Sequence, residues 1–154
     1  DFNKSAILSL TGKESGFFVI DIDGEKGIES YENFKHDLPE TLTAETPSGG
    51  MHLYFKYPKG KNIPSSLSEF FPSIDILSDN CRVVMPPSEG YNGNQYKWKN
   101  VDVEIAEVPD SFLEKLPNKN SISTIHTFNE RKLRYITGFI NYLYARFKTL
   151  FKKN

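Results

Sequence analysis

The period of the apolar positions changes several times along the chain. Ser15–Asp23 reads SGFFVIDID, and its run Phe17-Phe18-Val19-Ile20 is aromatic and β-branched throughout. Such a run predicts a strand buried on both faces, ended by Gly24. Ile28, Tyr31, Phe34 and Leu38 then recur at helical spacing before Pro39, which predicts a helix over Ile28–Leu38. Leu42–Glu45 and Met51–Tyr57 read as two strands around Thr46-Pro47-Ser48-Gly49-Gly50, a hairpin. Pro58–Ser73 reads as loop with a short turn around Leu67–Phe71. Ser73–Leu77 and Arg82–Met85 are short strands joined by Ser78-Asp79-Asn80, and Pro86-Pro87 stops the second. Tyr96–Trp98 and Val103–Ile105 add short strands, and Pro109–Leu116 a short helix. Hairpins dominate after the first helix, so the expected class is α+β rather than a doubly wound sheet.

The pattern changes again near the C-terminus. Asn118–Ser123 is polar, and Thr127-Phe128-Asn129-Glu130 has the form of a capping box. Leu133, Ile136, Phe139, Ile140, Leu143, Phe147, Leu150 and Phe151 follow on one helical stripe. The expected organisation is a core over 1–117, a linker over 118–128 and an amphipathic helix over 129–154.

Composition narrows the class. The chain has 154 residues, 38% hydrophobic and 25% charged, which excludes a disordered chain and suits one domain with an appendage. No apolar run approaches a membrane span, and no secretory leader is evident, so a cytoplasmic protein is expected. The single Cys81 excludes an internal disulfide framework and a Cys-rich zinc site. The first residue is Asp1, which suggests a fragment or a processed chain. The net charge of −1 is unevenly spread. Residues 1–128 hold 12 Lys/Arg against 19 Asp/Glu, a net of −7, whereas residues 129–154 hold 7 against 1, a net of +6. The basic tail suits a nucleic-acid backbone, with Tyr135, Tyr142 and Tyr144 available to stack, or a helix packed through its apolar stripe.

Three segments could carry chemistry. Asp21 and Asp23, at i and i+2 of a strand, share a face, and two such carboxylates call for a cation or else lie solvated at the strand end. Oxygen ligands favour Mg²⁺ or Mn²⁺. Ser48-Gly49-Gly50-Met51-His52 offers a hydroxyl, glycine backbone N–H groups and an imidazole, which suit a triphosphate; the alternative is an ordinary hairpin turn. Asp75, in Ile74-Asp75-Ile76-Leu77, is a third acid that could join the pair or simply face solvent. Arg82, Lys56, Lys97 and Lys99 are candidate phosphate contacts.

The order Asp-x-Asp, Ser-Gly-Gly-x-His, Ile-Asp resembles the primase-polymerase (Prim-Pol) domain of the archaeo-eukaryotic primase superfamily. Thr11–Asp23 is similar to the approach to its first motif, Thr46–Phe55 (TPSGGMHLYF) to its second, and Ser73–Leu77 to the segment bearing its third acid. Val83–Ser88 with Gly93, Tyr96 and Trp98, and then Ile105–Leu116, extend the likeness from about Thr11 to Leu116. The resemblance implies a primase-like core, an RRM-like palm of short antiparallel strands, shortened at its N-terminus. It implies template-directed nucleotidyl transfer in DNA replication, with catalytic Asp21, Asp23 and Asp75 holding two Mg²⁺ or Mn²⁺ ions. Ser48, Gly49, Gly50, His52 and Arg82 would bind the nucleotide. Single-stranded DNA template, primer and NTP or dNTP would be the partners, with a helicase or other replication domain in the full-length protein and no membrane. Relatives often carry a His where Gly90-Tyr91 stands here. Two alternatives remain. Phe18–Gly24 also resembles the first motif of haloacid-dehalogenase-type phosphatases, with Asp21 as nucleophile. A non-catalytic nucleotide- or DNA-binding module is the other.

Overall fold

The computed structural model describes residues 6–116. The expected linker and C-terminal helix lie outside the described residues. Among the described residues, nine strands, two short α-helices and a 3-10 turn make up the mixed α/β architecture. The strands are β1 (Ile7–Leu10), β2 (Phe17–Ile22), β3 (Thr43–Glu45), β4 (Met51–Lys56), β5 (Ser66–Phe71), β6 (Ile74–Leu77), β7 (Arg82–Met85), β8 (Lys97–Trp98) and β9 (Ala106–Glu107). The helices are α1 (Gly24–Tyr31) and α2 (Asp110–Leu113), and the 3-10 turn is Lys35–Asp37.

The main sheet has seven strands, ordered β5-β6-β2-β4-β3-β8, with β9 beside β4. All its pairings are antiparallel except β4 with β9. β1 and β7 form a separate antiparallel pair. β2 sits between β4 and β6 and is the best-buried strand: Phe18, Val19, Ile20 and Ile22 are all 0% exposed. The predicted two-sided burial is therefore present. Alternation sends Phe18, Ile20 and Ile22 into one cluster with Leu53, Phe55, Ile74 and Ile76. Phe34, Phe112 and Leu116 cap that side, with Ile28 and Tyr31 of α1 against it. Val19 faces the other way, into a smaller cluster with Ala44, Tyr54 and Val83, flanked by Phe17, Leu77, Met85 and Trp98. Each large side chain so buried contributes about 1.5–3 kcal/mol.

The elements differ from expectation in five places, the first being that the strand read over Val103–Ile105 lies instead at Ala106–Glu107. The helix predicted over Ile28–Leu38 starts earlier, at Gly24, and gives way after Tyr31 to the 3-10 turn. The apolar spacing holds across both because Phe34 and Leu38 still reach the first cluster. Pro58–Ser73, read as loop, contains β5. Its ladder to β6 jumps from Leu67↔Asp75 to Phe71↔Ile74, so three residues bulge out and the period-two pattern is lost. Ile7–Leu10 forms β1 although Ile7, Leu8 and Leu10 remain exposed, so no alternation marks it. The turn at Ser78–Asn80 is present, with Asn80 at φ +60° and Cys81 N–H donating to the Ser78 carbonyl. It does not close a hairpin, because β6 pairs with β2 and β5 while β7 pairs with β1. No helix among the described residues is long and apolar enough to cross a membrane.

Candidate active site

Register places the candidate residues. Asp21 of β2 lies directly opposite His52 of β4 on one side and Asp75 of β6 on the other. His52 is in turn opposite Ala44, and Ala44 opposite Trp98. Opposed residues share a face, so one row runs Asp75, Asp21, His52, Ala44, Trp98 across five strands. Val19 and Tyr54, each two residues from Asp21 and His52 on the same strands, put that row on the face of the smaller cluster. The helices cover the opposite face.

Asp21 and His52 are both buried, and His52 Nε2 stands 3.3 Å from Asp21 Oδ1. Asp75 is half-buried, and its Oδ1 accepts from the Ser68 backbone N–H at 2.7 Å and the Ser68 hydroxyl at 3.2 Å. Asp23 follows the end of β2 in extended conformation and starts α1, its N–H donating to the Ser73 carbonyl at 2.9 Å. Thus Asp21, Asp75 and His52 are brought together by the sheet, and Asp23 sits just beyond its edge.

The imidazole is packed among aromatic rings, with Tyr96 at 5.5 Å and Tyr54 at 6.4 Å between centroids. His52 Nδ1 and the Tyr54 hydroxyl are buried without a hydrogen-bond partner. Burial pushes the Tyr54 hydroxyl well above the usual phenol range, with the Asp21 carboxylate and then Tyr96 adding to the effect, so it stays protonated. An unpartnered buried hydroxyl costs about 1–3 kcal/mol of desolvation. Tyr54→Phe should therefore leave thermal stability unchanged or raise it. A clear fall in melting temperature would mean the hydroxyl has a partner in the folded protein.

The turn before β4 is closed on itself. Thr46 N–H donates to the Gly50 carbonyl, Gly49 N–H to the Thr46 carbonyl, and Gly50 N–H to Thr46 Oγ1, each at 3.0 Å. The exposed Ser48 hydroxyl lies 3.0 Å from Thr46 Oγ1. The two glycine N–H groups expected to face an anion are thus engaged within the turn. Gly49 supplies a left-handed residue, φ +82°, and a Cβ on Gly50 would fall 1.9 Å from the Ile22 carbonyl oxygen. Arg82 lies on β7 and is exposed. Its neighbour Val83 and then Met85 face the smaller cluster, so alternation directs Arg82 away from it. Lys56, at the end of β4, is exposed, as are Lys97 and Lys99.

A family model of the N-terminal domain of bifunctional DNA primase/polymerases, Prim-Pol, matches residues 3–111. The chain belongs to the Prim-Pol family. No curated protein matches it. Membership assigns primase/polymerase-type nucleotidyl transfer at the level of the family, with DNA and nucleotides as the substrates. The Prim-Pol match contains the whole row from Asp75 to Trp98 as well as the turn before β4.

Prim-Pol chemistry implies divalent ions. Among the described residues, no three His, Cys, Asp or Glu side chains converge on one metal position. Mg²⁺ does not need such a cage, since it is usually held by one or two carboxylates with substrate phosphates completing its shell. Asp21 and Asp75, directly opposed on one face, are such a pair. Like charges so placed repel unless a cation lies between them. The residues therefore fit the group. Two neighbours were not legible in the sequence as site residues. Tyr54 reads as a core aromatic, and Ser68 lies in the stretch read as loop.

Proposed function

We propose that this Prim-Pol domain extends a primer on a single-stranded DNA template, with divalent Mg²⁺ or Mn²⁺ held by the pair Asp21 and Asp75 and with Asp23, beyond the strand end, serving a second ion. The observation that carries this reading is the cross-strand row Asp75, Asp21, His52 on the face opposite the helices. In the reaction O3′ of the primer bonds to the α-phosphorus as the bond to the β-phosphate oxygen breaks. The 3′-hydroxyl gives its proton up to solvent, and pyrophosphate leaves with the electron pair of the broken bond. When bound, two such ions supply activation of the 3′-hydroxyl and neutralisation of the triphosphate and pyrophosphate charge.

The chain's own residues orient the reactants. His52 has Nε2 against Asp21 and an unpartnered Nδ1, so it links the carboxylate pair to a polar group of the incoming nucleotide. Ser48, exposed at the tip of the adjoining turn, offers a hydroxyl to the same phosphates. Burial of Asp21 and His52 strengthens the charge interaction between them. The phosphatase alternative draws no support from the sheet, in which β2 is antiparallel to both its neighbours.

The test is incorporation of labelled nucleotide on primed and unprimed single-stranded DNA. Extension is expected with Mg²⁺ or Mn²⁺ and should vanish with EDTA, returning when the ion is restored. Nucleotide binding without extension under either ion would favour a non-catalytic module. Extension that survives chelation would sink the metal assignment.

A further inference from the structure

Asp75 is held by a feature of the sheet that has no role in the reading above. Across β5 and β6 the ladder runs Ser66↔Ile76 and Leu67↔Asp75, and the next paired residue of β5 is Phe71, opposite Ile74. A regular strand would have placed Ser68 opposite Ile74, so Ser68 opens a three-residue bulge. Its backbone is left-handed, φ +53°, a conformation that costs a non-glycine residue about 1–2 kcal/mol. That turn aims both its N–H and its hydroxyl at the same carboxylate oxygen, Asp75 Oδ1, at 2.7 and 3.2 Å. On the other side of the row, His52 Nε2 stands against one oxygen of Asp21. Each of the two opposed carboxylates is thus fixed through one named oxygen by a neighbour that is not itself an acid.

We propose that Ser68 is a positioning residue that orients the Asp75 carboxylate for divalent-ion binding, the β5 bulge being the device that delivers its two donors. The inference rests on the metal-holding role proposed for Asp75. Two donors on one oxygen fix the plane of the carboxyl group, and partners of this kind around a metal ligand commonly change affinity about 10–100-fold when removed. Removing the hydroxyl alone keeps the backbone donor, so the effect belongs at the lower end.

Ser68→Gly is the informative change. Glycine accepts the left-handed backbone without strain and keeps the N–H, so melting temperature should hold or rise. Mn²⁺ binding to the 154-residue chain, read by electron paramagnetic resonance in the absence of DNA and nucleotide, should weaken by about tenfold. In extension assays the Mn²⁺ concentration for half-maximal rate should rise while the rate at saturating Mn²⁺ is nearly retained. A merely structural serine would move the melting temperature and not the metal affinity. Asp75→Asn, measured in parallel, separates the two claims. If Asp75→Asn weakens Mn²⁺ binding and Ser68→Gly does not, the role given to Ser68 is overturned and the metal site stands. If neither variant changes Mn²⁺ binding, both readings fall.

Discussion

Asp21→Asn should abolish nucleotide incorporation without unfolding the domain. The carboxylate lies between Asp75 and His52 in the row, with its side chain only 12% exposed. Asparagine keeps the shape and removes the charge, so the pair that would hold a divalent ion becomes a single acid. Loss of charge stabilisation at a reacting phosphoryl centre is worth about 10²–10³-fold per group, and removing half the metal-holding pair should reach or exceed the top of that range. Stability should move the other way. Two like charges directly opposed across strands destabilise a sheet by a fraction of a kcal/mol to about 1 kcal/mol, and the substitution removes that repulsion. Extension assays and thermal melts on one preparation check both signs. A variant that extends primers at the normal rate would exclude Asp21 from the chemistry. One that melts far below the parent would make any lost activity uninformative.

Gly50→Ala should be the most damaging single-methyl change near the site. The new Cβ would lie 1.9 Å from the Ile22 carbonyl oxygen and 2.9 Å from Gly24 N, both backbone atoms at the junction of β2 and α1. Neither can withdraw without pulling β2 from β4 at the residue pair Ile22↔Met51. We expect a loss of about 4 kcal/mol or more, in the range reserved for steric conflicts with the backbone and core. Gly49→Ala is the control. Its Cβ meets open space, so only the left-handed backbone opposes it, at about 1–2 kcal/mol. Urea unfolding of both variants measures the difference. Equal destabilisation would show that the close approach at Gly50 can be relieved cheaply.

These two positions show what the sequence carried and what it did not. Asp21, His52 and Asp75 come from three separate segments, and each was legible because its strand has a clear apolar frame. Parity within Phe17–Ile22, Met51–Lys56 and Ile74–Leu77 already assigns each polar residue a face, and antiparallel pairing then brings the three together. The hairpin around Thr46–Gly50 was legible from turn chemistry, but the use of its glycines was not. They suggested donors for an anion, whereas the N–H groups close the turn and Gly50 is needed for contact with Ile22. β1 and β5 escaped for different reasons. β1 exposes Ile7, Leu8 and Leu10 and so has no buried face to set a period, and β5 is interrupted by its bulge. Ser68 was out of reach altogether, because its contribution depends on a positive φ that no residue type at that position announces.

The turn before β4 has a second support. Gly90 packs so closely on Pro47 that a Cβ there would sit 2.6 Å from the proline ring, and Asn92 Nδ2 donates to the Pro47 carbonyl at 2.7 Å. Asn94 Nδ2 reaches the same carbonyl at 3.5 Å, and the loop leads directly into Tyr96, whose ring centroid lies 5.5 Å from that of His52. Two stretches far apart in the chain therefore form one clasp. Anyone transplanting the Thr46–His52 segment into a related domain should carry Gly90–Tyr96 with it, because the turn moved alone would arrive without the loop that braces Pro47.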